Sequence, residues 1–228
     1  MFAFRTAALV AATLTTGLIA GVFYAYATSV MGALHRSDDR TFVDVMQKIN
    51  VVIINPWFML GFMGTVGFTV LAAALHLGKS NRTTLIWIGV ALLLNVIAFF
   101  VTSGLNVPLN NQLSNAGDVG QIGDLAAVRA QFESSWVTWN IVRAVVHTLA
   151  FLVLIGALFV AGMQHAKASA LAGSAPARPG VSSAQPGFSQ VPGAYPAPVY
   201  APTKPFAAAP AQQFAPTPQQ PGSASGQQ

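Results

Sequence analysis

WVTWNIVRAVVHTLAFLVLIGALFVAGM, residues 136–163, contains twenty-eight positions and a single formal charge, at Arg143. A hydrocarbon core about 30 Å thick is crossed by roughly 20 apolar helical residues, so this run is long enough to span it. Three further runs lack Asp, Glu, Lys and Arg altogether: residues 6–34, 49–78 and 83 to about 103. The reading is an all-α, integral membrane four-helix bundle. The first run also follows the pattern of a signal peptide, with Arg5 before it and Ala25-Tyr26-Ala27 near its end. Its length exceeds the roughly 7 to 15 residues of an h-region, and a membrane helix is the expectation.

Composition agrees. Of the 228 residues, 54% are hydrophobic and 7% charged, with a mean hydropathy of +0.56, whereas about a quarter of the residues of a soluble protein are charged. The absence of cysteine excludes disulfides, thiolate metal sites and cysteine nucleophiles. The eleven Lys and Arg residues form no cluster that could follow a phosphate backbone, so nucleic acid is not an expected partner.

Two units are expected: the bundle over residues 1–170, and a disordered tail over residues 171–228. Twelve of the fourteen prolines lie in the tail, among Ala, Gln, Ser and Gly, a composition that cannot bury a core. Its proline spacing admits a protein partner but reads first as a solvated tether. Between the first two spans, Ser37 or Asp38 can cap a short interfacial helix carrying Phe42, Val45, Met46 and Ile49 on one face, with Asp44 and Lys48 as an i,i+4 pair. This helix is expected to run directly into the second span. The connection before the fourth span is expected to turn helical from about Asp124. Lys and Arg placement favours a cell-membrane protein with both termini in the cytoplasm, by a thin margin.

Polar residues inside hydrocarbon are costly and therefore informative. Trp136, Asn140, Arg143 and His147 recur at i, i+4, i+7 and i+11, one stripe of a helix at about 100° per residue. At 1.5 Å per residue, Arg143 lies about 6 to 10 Å below Trp139 and Trp136, with His147 one turn deeper. Taken singly, Arg143 reads as snorkelling to the interface and His147 as a satisfied structural histidine. The third span repeats the pattern with Asn95, Thr102 and Asn106. In the first, Gly17, Gly21, Tyr24 and Thr28 align; the glycines there, and Gly61, Gly64 and Gly67 in the second, suit close helix packing. Tyr24, Asn50, Asn106, Asn110, Trp136, Trp139, Asn140, Arg143 and His147 are together expected near one end of the bundle. They would form a pocket suited to a planar aromatic ligand bearing oxygen. No residue set has metal-ligand spacing. A haem would need His76 and His147, which fall at different depths.

Several segments carry a resemblance: Gly21-Val22-Phe23-Tyr24-Ala25; Phe42 with Met46-Gln47-Lys48-Ile49-Asn50; Asn106-Val107-Pro108-Leu109-Asn110; and Trp136-Val137-Thr138-Trp139-Asn140-Ile141-Val142-Arg143. Together they resemble the anthrone oxygenase-like family of small four-span membrane proteins, over residues 6–166. The resemblance implies the four-span fold. It also implies, for some relatives, oxidation of anthrones to anthraquinones by molecular oxygen without a cofactor; most bacterial relatives have no assigned function. It supplies no catalytic set. From the chemistry, His147 is the expected base, Arg143 and Asn140 the cradle of an oxyanion, and Trp136 and Trp139 the stacking surfaces. The expected partners are the lipid bilayer, a small hydrophobic aromatic substrate and molecular oxygen. The alternative is a non-enzymatic scaffold or accessory protein whose cytoplasmic tail recruits partners.

Overall fold

The computed structural model describes residues 2–173, and the tail expected from residue 171 lies outside them beyond Gly173. The described residues form helices joined by turns, with no strand among them. Four helices are long and apolar enough to cross a membrane: α1 (Phe2–His35), α3 (Pro56–Leu75), α4 (Lys79–Asn115) and α5 (Leu125–Gly173). A shorter helix, α2 (Asp39–Val52), lies between the first two.

The four long helices close a ring in chain order. α1 packs on α3, α3 on α4, α4 on α5, and α5 returns to α1, the up-and-down arrangement that short connections favour. Close approach is bought with small residues. A Cβ added at Gly17 would lie 2.7 Å from the Phe151 ring, and one at Gly156 would lie 2.5 Å from the Trp87 ring.

Helix boundaries follow local chemistry. The Asp38 carboxylate accepts from the Thr41 N–H at 3.0 Å and the Thr41 hydroxyl at 2.7 Å, capping α2 as expected. Lys48 pairs with Asp44 at 2.6 Å. The buried face of α2 is Phe42, Val43 and Met46, so Val43 takes the place expected for Val45. Contrary to expectation, α2 does not run into the second span. Asn55 accepts from the Trp57 and Phe58 N–H groups at 3.1 and 3.0 Å, and Pro56 occupies the first turn of α3. This Asn-Pro start signal breaks the chain between Val52 and Pro56. Asp124 caps α5 through the Ala127 N–H at 2.9 Å, which makes the fourth span one helix from Leu125.

Two helices contain a π-turn, Tyr26–Val30 in α1 and Thr102–Asn106 in α4. The Met31 N–H donates to the Tyr26 carbonyl and the Val107 N–H to the Thr102 carbonyl, each five residues back. In α4 the cause is Pro108. It has no N–H to give the carbonyl four residues before it and would collide with that group in a regular α-helix. Widening the preceding turn lets the helix continue to Asn115 instead of ending near residue 103.

Candidate functional site

At the end of the bundle that carries α2, the helices enclose a cavity of about 700 Å³, within the usual size range of a small-molecule pocket. Its apolar wall comes from Val22 and Phe23 of α1, Ile49 and Ile53 around the end of α2, and Phe58, Met59 and Phe62 of α3. Phe58 stacks on Phe62 at 5.8 Å, and Phe62 on Phe99 at 5.5 Å. Polar groups arrive from Asn50, Tyr26, Thr102, Asn110, Asn140 and Arg143, with Trp136 between them. Val51 and Ile54 on one side, with Val107, Asn111 and Ser114 of α4 opposite, line the cavity while remaining exposed. These residues form its mouth, which Asn50 crosses by donating to the Asn110 carbonyl at 3.4 Å.

Trp136 is fixed at both ends: its indole N–H donates to Asn110 Oδ1 at 2.7 Å, and its carbonyl accepts from Asn106 at 3.3 Å. Asn140 donates to the Phe23 carbonyl at 3.1 Å and accepts from Arg143 through Oδ1 at 3.1 Å. The Arg143 guanidinium lies 4.1 Å from the Phe23 ring centre and 5.5 Å from that of Trp136, held by π faces as well as by the amide. It is buried and no carboxylate lies against it among the described residues. The acidic residue deepest in the fourth span, Glu133, is committed to Arg129 at 2.6 Å and His35 at 2.8 Å.

Below Arg143, a second polar group joins all four long helices. Asn95 of α4 faces Thr16 Oγ1 of α1 at 3.2 Å, and the Thr65 carbonyl and Thr69 Oγ1 of α3 at 3.1 and 3.3 Å. Its Oδ1 lies 3.2 Å from Nδ1 of His147 on α5. Asn95 and His147 have no exposed surface.

The structure therefore brings five of the expected residues to one cavity: Asn50, Asn110, Trp136, Asn140 and Arg143. Four others do not line it. Tyr24 is 61% exposed because the Gly21, Tyr24, Thr28 stripe faces outward, and Phe23 and Tyr26 take the inner positions. Trp139 is half-buried beside the site. Asn106 is buried and props Trp136 from behind. His147 sits beneath the cavity, its ring 5.5 Å from Phe23, and cannot touch a ligand directly. His76, the residue that ends α3, bonds the Ala72 carbonyl through Nδ1 at the end of that helix away from the cavity. The aromatic wall of Phe23, Tyr26, Phe58 and Phe62 escaped the sequence reading. In helices apolar all round, no pattern separates a wall-forming Phe from a lipid-facing one.

The fold and the cavity define a four-span helical membrane protein with an aromatic-walled pocket containing a buried cation. Residues 57–153 match the family model described as anthrone oxygenase, so this part of the chain is similar to that family. The matched region includes α3, α4 and the part of α5 that carries Trp136, Asn140, Arg143 and His147. No curated protein and no solved structure matches the chain.

Proposed function

We propose that the chain binds a flat, hydrophobic, anthrone- or quinol-like substrate in this cavity as its oxyanion, and oxygenates it with molecular oxygen and no cofactor. One observation carries the reading: Arg143 is a buried guanidinium that lines an aromatic pocket without an acidic partner among the described residues. A buried charge is costly unless paired, and a phenolate-like oxygen beside Arg143 and Asn140 would pair it. The family match and the apolar side of the mouth at Val51 and Ile54 support the same reading, since a lipophilic substrate would arrive from the bilayer.

The chemistry closes with substrate and oxygen alone. Loss of a benzylic proton gives a delocalised anion, whose negative oxygen Arg143 and Asn140 stabilise. The anion passes one electron to O₂, and the resulting radical pair joins to form a carbon–oxygen bond. After protonation, the hydroperoxide loses its second C–H proton as the O–O bond breaks. The new carbonyl is the quinone oxygen and the other oxygen leaves as water. The first proton goes to His147 through a water. Its Nε2 and the Nε of Arg143 both lack a protein partner among the described residues, and the two side chains are neighbours one turn apart on α5.

In this proposal the N-terminus of α1 faces the cytoplasm and the cavity lies at the outer face of the cell membrane, while the proline-rich tail lies outside the described residues. In the scaffold alternative the polar groups only join the helices. The Asn95 cluster fits that role, but it leaves the cavity and its unpaired cation without a purpose. The test is oxygen uptake and quinone formation by the full chain in nanodiscs supplied with an anthrone. Turnover above the spontaneous rate is expected, and Arg143→Gln should lower it about 100-fold or more. Uptake no faster than in empty nanodiscs would refute the activity.

A further inference from the structure

We infer that Asn95 is the positioning residue of this site, fixing His147 as the Nδ1–H tautomer so that Nε2 is a buried proton acceptor one helical turn beneath Arg143. The argument begins at a group that can only accept. The Thr65 carbonyl lies 3.1 Å from one end of the Asn95 amide, so that end must be the NH₂; Thr16 Oγ1 and Thr69 Oγ1, on the same side, are compatible with it. The other end is then Oδ1, which has no proton to give. It faces His147 Nδ1 at 3.2 Å, so the imidazole must donate there. A neutral imidazole has one N–H, and with that proton on Nδ1 the lone pair is left on Nε2.

Nε2 itself has no protein partner among the described residues, although the ring has no exposed surface. A purely structural histidine would be expected to satisfy both nitrogens. Phe23 joins this acceptor to the cavity: its ring lines the cavity and lies against both the imidazole and the guanidinium. The two polar clusters thus divide the work. Asn140 and Trp136 hold the cation at the substrate, while Asn95, anchored on α1 and α3, holds the base beneath it. The tautomer stands on the hydrogen bonds alone, and its catalytic use rests on the oxygenase reading above.

Nitrogen-15 NMR of the full chain, labelled at histidine and reconstituted in nanodiscs, tests this directly. His147→Gln assigns the signal by difference among the four histidines. The native protein should show His147 with a protonated Nδ1 and an unprotonated Nε2. Asn95→Asp as the protonated acid, which can donate to the Thr65 carbonyl and keeps an acceptor oxygen toward Nδ1, should preserve that pattern. Asn95→Leu should mix or reverse it, and should lower kcat about tenfold or more with little change in KM. A protonated Nε2 in the native chain would overturn the inference without need of any variant, as would an unchanged tautomer in folded Asn95→Leu. The correct tautomer in a protein that takes up no oxygen would instead refute the oxygenase reading and leave the inference standing. Nε2–H in an active enzyme would do the reverse.

Discussion

Arg143 and Asp38 show how differently a charge behaves inside and outside the bundle. Arg143 is held by an amide and two aromatic faces, and in the proposed function its charge meets an anion that the ligand brings. Asp38, in the turn before α2, meets water. Its carboxyl is held below the ordinary carboxylate range by the Thr41 hydroxyl first and the Thr41 N–H second. A lowered folded value means that the ionised cap stabilises α2 above the usual carboxylate pKa, and that this stabilisation is lost as pH falls through the lower folded value. The first turn of α2 should therefore lose amide protection, measured against the intrinsic exchange rate at each pH, as the medium is acidified below about pH 4. Asp38→Asn, which still caps but does not titrate, should remove that pH dependence; an identical acid response in both proteins would contradict the assignment.

At the scale of elements, the π-turn in α4 ties one proline to the geometry of the pocket. Pro108→Ala restores the missing N–H and allows the turn at Thr102–Asn106 to tighten to a regular helix. Because that change rotates the chain by about 100°, Asn106 and Asn110 would lose their hold on Trp136. The expected outcome is unchanged helical circular dichroism with about tenfold or weaker ligand binding; full binding would show that the π-turn does not set the pocket. The four crossings were legible in the sequence because charge-free length is a strong signal, and the start of α2 at Ser37 or Asp38 because capping chemistry is local. The break at Asn55-Pro56 was equally local but was hidden inside an apolar run. The inward face of α1 was not legible: Phe23 and Tyr24 are both large and aromatic, and only packing against α5 decides which one turns inward. His147 was correctly placed on the Arg143 stripe, yet a stripe gives direction and not depth. One further turn carries it from the cavity to the layer beneath.

For the whole molecule, the ring of four crossings fixes which turns share a side. The α3–α4 turn lies with the N-terminus, and the α4–α5 turn lies with α2 and the mouth of the cavity. The chain has no cysteine, so single cysteines can report the orientation proposed here. Asn115→Cys should react with an impermeant maleimide in intact cells, and Ser80→Cys only after permeabilisation; the opposite pattern would place the pocket at the cytoplasmic face. One side of the mouth is apolar, with Val51 and Ile54 exposed, and suits the lipophilic substrate proposed here.

The central claim is that Arg143 gives an aromatic pocket its preference for an oxyanion. Anaerobic titration of an anthrone into the nanodisc-embedded protein, followed by absorbance at a pH where the free compound is neutral, tests it without requiring turnover. The account predicts the long-wavelength band of the bound anion, saturating with protein and absent in Arg143→Gln. Binding of the neutral form only, or an equal anion band in the variant, would contradict it.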